Sequence, residues 1–179
     1  MGVNLLWLLP GRVGGSEQAT MRQLDALSEL PDAARYRLFG TPELARAHPE
    51  VVGAFAFTEL DVAADSRLRR ILAEATTLER AARRAGVELM HHPGGTLPLR
   101  TGLPGVVTIH DLQPLDLPRY TSAFKRRYLG VALPRTVRSA RRIAVPSAFV
   151  RRRVIDAGGP AGAGEGDPLG PAPRGRVGR

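Results

Sequence analysis

The sequence predicts an α/β fold with a Rossmann-like parallel sheet and helices on both of its faces. Three observations carry this prediction. Short apolar runs typical of strands alternate along the chain with longer segments of helical periodicity. A glycine-rich turn directly follows the first run, as at the first strand-to-helix turn of such folds. The alternation itself indicates parallel strands joined by right-handed helical crossovers, and therefore one continuous sheet.

The N-terminal half begins with residues 3–9 (VNLLWLL), a continuous apolar run of the kind that forms a strand buried on both faces. A helix follows, capped by Ser16 or a neighbouring glycine, and Glu17 suits its positive first turn. The next predicted elements are a strand at 36–39, a short helix after Pro42, a strand at 52–57 and the longest helix at 66–85. The apolar stripe of that longest helix consists of Leu68, Ile71, Leu72, Ala75, Leu78 and Ala82.

The C-terminal half continues the same alternation. Predicted strands lie at residues 87–90, 105–109 and 143–145. A helix is predicted at 121–140, where Pro134 should force a kink or a break, and a last helix at 148–157 with Ser147 as its cap.

The composition excludes several classes of protein. The absence of cysteine rules out a disulfide framework, a thiolate metal site and a cysteine nucleophile. No apolar run approaches the ~18 residues of a membrane span. The run at residues 5–9 lacks the positive segment and cleavage site of a signal peptide. We therefore expect a cytoplasmic protein.

The net charge of +9 is concentrated in one part of the chain. Residues 119–153 contain eleven basic and no acidic residues, so the remainder is close to neutral. Such a local field favours phosphates, an anionic membrane surface or an acidic partner, although a solvated arginine-rich helix face has the same pattern. Lys125, Arg126 and Arg127 are the candidate contact to the inner face of a membrane. Nucleic acid is disfavoured because few aromatic residues accompany the charge.

A domain boundary is expected at residue 157. Residues 158–179 contain eight glycines and four prolines but only two large apolar residues, too few to bury an ordered core. This segment is predicted to be disordered, either as a natural flexible tail or as the product of translation in a shifted reading frame. Residues 1–157 then form the folded domain.

Three segments are expected beyond the carboxyl ends of the strands, where open α/β sheets bind ligands: residues 11–17, 91–96 and 110–116. The first contains Gly14 and Gly15 at the start of a helix, where backbone N–H groups and the helix dipole suit a diphosphate. It matches neither the dinucleotide-binding nor the Walker glycine pattern. A glycine turn that only lets the helix pack closely is the alternative.

The other two segments contain three of the four histidines. His110 precedes Asp111, so it could act as a neutral hydrogen-bonding group or general base beside a carboxylate. His91 and His92 are adjacent and would point to opposite faces of a strand. That divergence argues against a metal site built from histidines and Asp111, and no metal is expected. A purely structural histidine at a strand end is the alternative for His110.

Four segments in this order resemble the N-terminal domain of family 4-type retaining glycosyltransferases of the GT-B fold. They are residues 10–17 (PGRVGGSE), 91–96 (HHPGGT), 108–114 (TIHDLQP) and 145–149 (VPSAF). The resemblance covers residues 2–157. It implies one half of a GT-B architecture, in which this domain binds the acceptor and a second Rossmann-like domain binds a nucleotide-sugar.

The resemblance also implies roles for single residues. Gly14 and Gly15 would approach the donor diphosphate, and His110 and Asp111 are the candidate catalytic pair, with His110 contacting the transferred sugar. The candidate acceptor-side or cleft residues are Arg12, Glu17, His91 and His92. No cofactor is implied, and the acceptor is unspecified.

Because a donor-binding domain does not follow residue 157, we expect this chain to be inactive when isolated. Two competing interpretations are a standalone basic binding module and a different α/β enzyme that acts on a phosphorylated metabolite.

Overall fold

Six parallel strands form one sheet in the part of the chain that the computed structural model describes, residues 1–62, 67–112, 119 and 122–158. The strand order is β3-β2-β1-β4-β5-β6. The first strand is therefore central, with β2 and β3 on one side of it and β4, β5 and β6 on the other. All five pairings are parallel. The strands are β1 (Gly2–Asn4), β2 (Arg37–Gly40), β3 (Ala56–Glu59), β4 (Met90–His92), β5 (Gly105–Thr108) and β6 (Arg142–Ala144).

Helices connect successive strands except β4 and β5, and the last helix follows β6. They are α1 (Gly15–Ser28), α2 (Pro42–Ala47), α3 (Pro49–Gly53), α4 (Arg67–Ala73), α5 (Glu79–Arg84), α6 (Ala123–Ser139) and α7 (Ala148–Asp156). A 3-10 turn (Ala33–Arg35) precedes β2, and a π turn (Glu74–Leu78) joins α4 to α5. The Ser147 hydroxyl accepts a hydrogen bond from the Val150 N–H at 3.2 Å, which confirms the predicted cap of α7.

The helices cover both faces of the sheet, as predicted. Leu38 and Phe39 are adjacent in β2 and fully buried, and they belong to different core clusters on opposite faces. One cluster packs β1 and β2 against α1, α2 and α3, and another packs the α4–α5 side. A third cluster joins β5 and β6 to α6 and α7. The fold class is therefore confirmed.

Several predicted bounds are wrong. The run at 3–9 is a strand only at its start, because the chain turns after Asn4 and the Leu8 N–H bonds the Leu5 carbonyl at 3.0 Å. Leu5, Leu6 and Leu8 are buried all the same, and Leu9 is half-buried. The strand predicted at 52–57 begins later, since Pro49 starts the short helix α3 that includes Val52. The strand predicted at 87–90 is shifted to Met90–His92, so both histidines lie inside it.

The two long helical segments also differ in detail from the expectation. Pro134 neither ends nor divides α6, which continues from Ala123 to Ser139. The helix predicted at 66–85 contains the π turn, and Leu68 and Leu72 of its predicted apolar stripe are 56% exposed. Residues 63–66, 113–118, 120, 121 and 159–179 lie outside the described residues. The predicted tail and part of the segment at 110–116 therefore fall there, apart from Gly158.

Candidate functional site

A cavity of about 440 Å³ opens beyond the carboxyl ends of β1, β4 and β5. This is the edge where open α/β sheets bind ligands, and the volume lies within the range of about 300–1,000 Å³ that is common for small-molecule sites. Five parts of the chain contribute lining residues, which lie within 7–16, 70–74, 93–96, 109–112 and 125–133. The structure thus brings together the three segments that the sequence placed at this edge.

The glycine-rich turn forms one wall. Arg12, Val13 and Ser16 line the cavity. Gly14 caps α1 with a φ of 71°, a left-handed conformation that favours glycine, and Gly15 is the first residue of the helix. A Cβ atom built at Gly15 would meet no atom within 4 Å, and neither Gly14 nor Gly15 is among the residues that line the cavity. Binding of a diphosphate by Gly14 and Gly15 stays a prediction.

Glu17 braces this turn from behind rather than facing the cavity. Its side chain is 9% exposed, and its two oxygens accept hydrogen bonds from the Gly11 N–H and from His48 Nε2, both at 2.9 Å. Both contacts hold the ends of the turn in place. The structure does not place Glu17 among the cavity-lining residues, so its contribution to a ligand site would be through the shape of the turn.

His91 and His92 lie beneath the cavity, within the sheet. His91 Nε2 bonds Thr108 Oγ1 at 2.8 Å, and His92 Nδ1 bonds the Asn4 amide nitrogen at 3.2 Å. Burial, with a smaller contribution from His110, lowers the pKa of His91 to about 4, and burial lowers that of His92 to about 3. Both rings are therefore neutral at physiological pH, and neither lines the cavity.

His110 and Asp111 follow β5 directly and do line the cavity. Burial lowers the pKa of His110, against the opposing effects of the Asp111 charge and a hydrogen bond to the Pro93 backbone. Nε2 of this ring is buried and has no partner among the described residues. Since the bond to the Pro93 carbonyl needs a proton on the other nitrogen, the neutral ring presents an acceptor at Nε2. A ligand hydroxyl would satisfy it.

Sequence reasoning missed Trp7, Glu74 and Tyr128, all of which line the cavity together with Thr96 of the predicted segment 91–96. A signal for Glu74 was available. It stands three residues after Ile71 and four before Leu78, so a helix places its carboxylate on the apolar face. A carboxylate at such a position is seldom buried without a partner or a function.

The sequence model of Glycosyltransferase Family 4 matches residues 13–163, well over half of the chain. The chain belongs to glycosyltransferase family 4. This family 4 chain therefore contains a glycosyltransferase-type domain, which confirms the resemblance seen in the four sequence segments. No curated protein matches it.

Two further findings describe the family 4 domain within the described ranges. No group of three or more His, Cys, Asp or Glu side chains is arranged to hold a metal ion. None of its described helices is both long enough and apolar enough to span a bilayer.

Proposed function

We propose that this domain is the acceptor-side half of an enzyme that transfers a sugar from a nucleotide-sugar to an acceptor. The observation that carries the proposal is the cavity, which unites the glycine-rich turn with His110 and Asp111 in a chain of family 4. One wall suits a diphosphate and the other suits hydroxyl groups. Those are the two parts of a nucleotide-sugar at the bond that breaks.

The diphosphate side rests on electrostatics. The N–H groups at the start of α1 have no partners within the helix and lie at the positive end of its dipole. Arg12 adds a cation beside them at the cavity wall. As the bond to the sugar breaks, negative charge grows on the diphosphate, and fixed donors at this position would stabilise it.

The sugar side rests on His110. The neutral ring accepts a hydrogen bond at Nε2, so it would hold and orient a hydroxyl of the transferred sugar. Asp111 lies beside it and supports the site through its charge. The role of His110 is thus positioning and polarisation at the sugar.

In the GT-B architecture that the resemblance implies, the nucleotide-sugar binds to a second domain, and the cavity described here provides one wall for it. We therefore expect the 179-residue chain assayed alone to transfer no sugar. The test is a fusion of this chain to the donor-binding domain of a family 4 enzyme with a known nucleotide-sugar. Hydrolysis of the donor is measured, because transfer to water needs no identified acceptor.

The fusion is expected to consume the donor, and His110→Ala should lower the rate at least tenfold, about 1.4 kcal/mol of transition-state stabilisation. The exposed Gln23→Ala change in α1 is the control. A fusion that binds the donor but hydrolyses it no faster than the donor-binding domain alone would overturn the proposal.

A further inference from the structure

Glu74 is the unusual residue of this cavity. It is 9% exposed, while Leu68 and Leu72 in the preceding helix α4 are each 56% exposed. The segment therefore buries a carboxyl group and leaves two leucines at the surface, the reverse of what stability alone would select. Glu74 is also the first residue of the π turn, and such turns frequently occur at functional sites.

The Asn4 side chain holds the Glu74 carboxyl. The Asn4 Oδ1 atom accepts from the Leu6 N–H at 3.0 Å, which fixes the orientation of its amide group. Its NH2 group then faces His92 Nδ1 at 3.2 Å and the Glu74 carboxyl. The carboxyl thus lies against the end of β1, and Glu74 lines the cavity.

Tyr128 stands opposite, on α6. Its hydroxyl lies 3.4 Å from the Thr96 hydroxyl, and both residues line the cavity. Burial raises the pKa of Tyr128, the Thr96 bond opposes this, and the charge of Glu74 adds to it. The phenol is therefore protonated and close enough to Glu74 to sense its charge. Two hydroxyl groups and a carboxyl converge on one space.

Trp7 supplies a flat apolar wall beside these groups. Its ring lies so close to Gly94 that a Cβ atom there would be 2.5 Å from the indole Cγ, so only glycine leaves the ring in place. The indole Nε1 is buried and has no hydrogen-bond partner among the described residues. An aromatic face with a donor at its edge pairs one apolar surface with one polar contact.

We propose that Glu74, Tyr128 and Trp7 form the acceptor subsite, and that the acceptor presents a polyhydroxylated ring to it. Adjacent ring hydroxyls donate to the Glu74 carboxylate, Tyr128 contacts a further hydroxyl, and the C–H face of the ring stacks on Trp7. This inference rests on the proposed function, in which this domain is the acceptor side. Glu74 is then the residue that selects acceptors by their hydroxyl pattern.

The chain has its own reporter for this test, because Trp7 is its one tryptophan. The full 179-residue chain is titrated with myo-inositol, methyl α-glucoside and methyl α-mannoside, and tryptophan fluorescence is followed. Cyclohexanol, with a similar ring and one hydroxyl, is the control ligand. At least one polyol is expected to give a saturable change with a millimolar dissociation constant, and cyclohexanol none.

Variants separate hydrogen bonding from folding. Glu74→Gln keeps the shape and should raise the dissociation constant at least tenfold, and Tyr128→Phe should raise it about threefold. Glu88→Gln, an exposed carboxylate outside the cavity, should change nothing. Far-ultraviolet circular dichroism checks that each variant is folded. If Glu74→Gln does not fold, the threefold increase in dissociation constant expected for Tyr128→Phe still tests the subsite.

The dependence on pH provides a readout that a structural role would not move. Burial raises the pKa of Glu74 to about 7, so polyol affinity should increase roughly tenfold between about pH 6 and pH 8 as the carboxylate forms. Glu74→Gln should abolish this increase. The other charged or titratable groups at the cavity are Arg12, Arg70, His110, Asp111, Lys125 and Tyr128. Burial lowers the pKa of His110, and Glu74→Gln retains that ring, so any pH dependence due to His110 would persist in the variant.

Either of two results would overturn the inference: no saturable signal with any of the three polyols, or equal affinity in wild type and Glu74→Gln. Donor hydrolysis by the fusion described above does not involve the acceptor. A fusion that consumes donor while the polyols fail to bind would therefore reject this subsite and leave the proposed function standing. Loss of both would reject the function itself.

Discussion

At the scale of single residues, the interior of the sheet contains polar side chains that remain neutral. His91 and His92 are 7% and 2% exposed, and each has one hydrogen-bond partner on a neighbouring strand. Protonation of either ring would place an uncompensated charge in the core, which is costly. Glu74 carries the opposite tendency, because its protonated form is the one that burial favours. These three groups tie the stability of the fold to pH.

We predict that acid destabilises the protein through the two histidines. In the unfolded chain they bind protons below about pH 6.5, whereas in the folded chain their pKa values are about 4 and about 3. The unfolded state then holds more protons, so the free energy of unfolding falls by up to ~1.4 kcal/mol per pH unit for each histidine. His92→Asn should remove about half of this slope, measured by urea unfolding between about pH 4 and pH 7.

Glu74 offsets part of that loss. The pKa of Glu74 is about 7 in the folded chain, against 4.5 for an ordinary glutamate, so between these values the folded state holds the extra proton. Its contribution to stability is present at low pH and is lost as the pH rises through about 7. Glu74→Gln should therefore steepen the acid loss, and Glu88→Gln should not. If the free energy of unfolding changed equally with pH in wild type and His92→Asn, the prediction for the two histidines would be contradicted.

Residue-level function was only partly predictable from the sequence. His110, Asp111 and Arg12 follow strands or turns that the pattern located, and the structure places all three at the cavity. Glu17 was expected in the cleft from the family resemblance, but it bonds Gly11 and His48 and is not among the residues that line the cavity. The contact with His48 joins residues 31 positions apart, and no local pattern encodes it. Trp7 was missed because it lies in the apolar run at 3–9, which was predicted to be one strand, whereas the strand ends at Asn4.

At the scale of elements, the alternation of strands and helices was correct, whereas the bounds were less so. Apolar pattern locates what is buried but does not separate a strand from a buried turn, as the leucines after Asn4 show. Local capping chemistry performed better: Ser147 begins α7 where predicted. The disruptive effect of Pro134 on the helix was overestimated, since packing of Leu133 and Val137 in the core retains the helix around it.

Helix α6 has an exposed face that mixes apolar and basic side chains. Phe124 is 49% and Val131 62% exposed, and Arg126 and Arg127 are exposed between them. Positions 124, 127 and 131 follow the three-to-four-residue spacing of one helix face. Such a face suits an anionic bilayer surface, where each basic residue contributes about 1 kcal/mol.

We predict binding of the protein to vesicles that contain anionic lipid, weakening steeply as salt is raised. Neutralising Lys125, Arg126 and Arg127 to Gln should weaken binding at least tenfold in a sedimentation assay. The matched control changes three exposed arginines to Gln: Arg22 on α1, and Arg80 and Arg84 on α5. Equal weakening in both triples would show that net charge acts, and that α6 does not dock.

At the scale of the whole molecule, the described residues form three core clusters, whose members lie between Val3 and Ile155. The last helix, α7, is held by Val150 and Val154, and the Gly158 N–H bonds the Ile155 carbonyl at 2.9 Å behind it. The segment after residue 158 contributes only Leu169 and Val177 as large apolar residues. At ~25 cal/mol per Å² of apolar surface, two such side chains cannot offset the ordering of some twenty residues.

We therefore predict that deleting residues 159–179 leaves the fold intact. The midpoint of urea unfolding and its slope should match those of the full chain, since the slope reports the surface exposed on unfolding. Deleting from Ala148 instead removes α7 from a core cluster, uncovers Ile143 and Val145, and should lower the midpoint sharply. A fall in midpoint or slope on removal of 159–179 alone would show that these residues pack against the domain, and would move its boundary beyond residue 158.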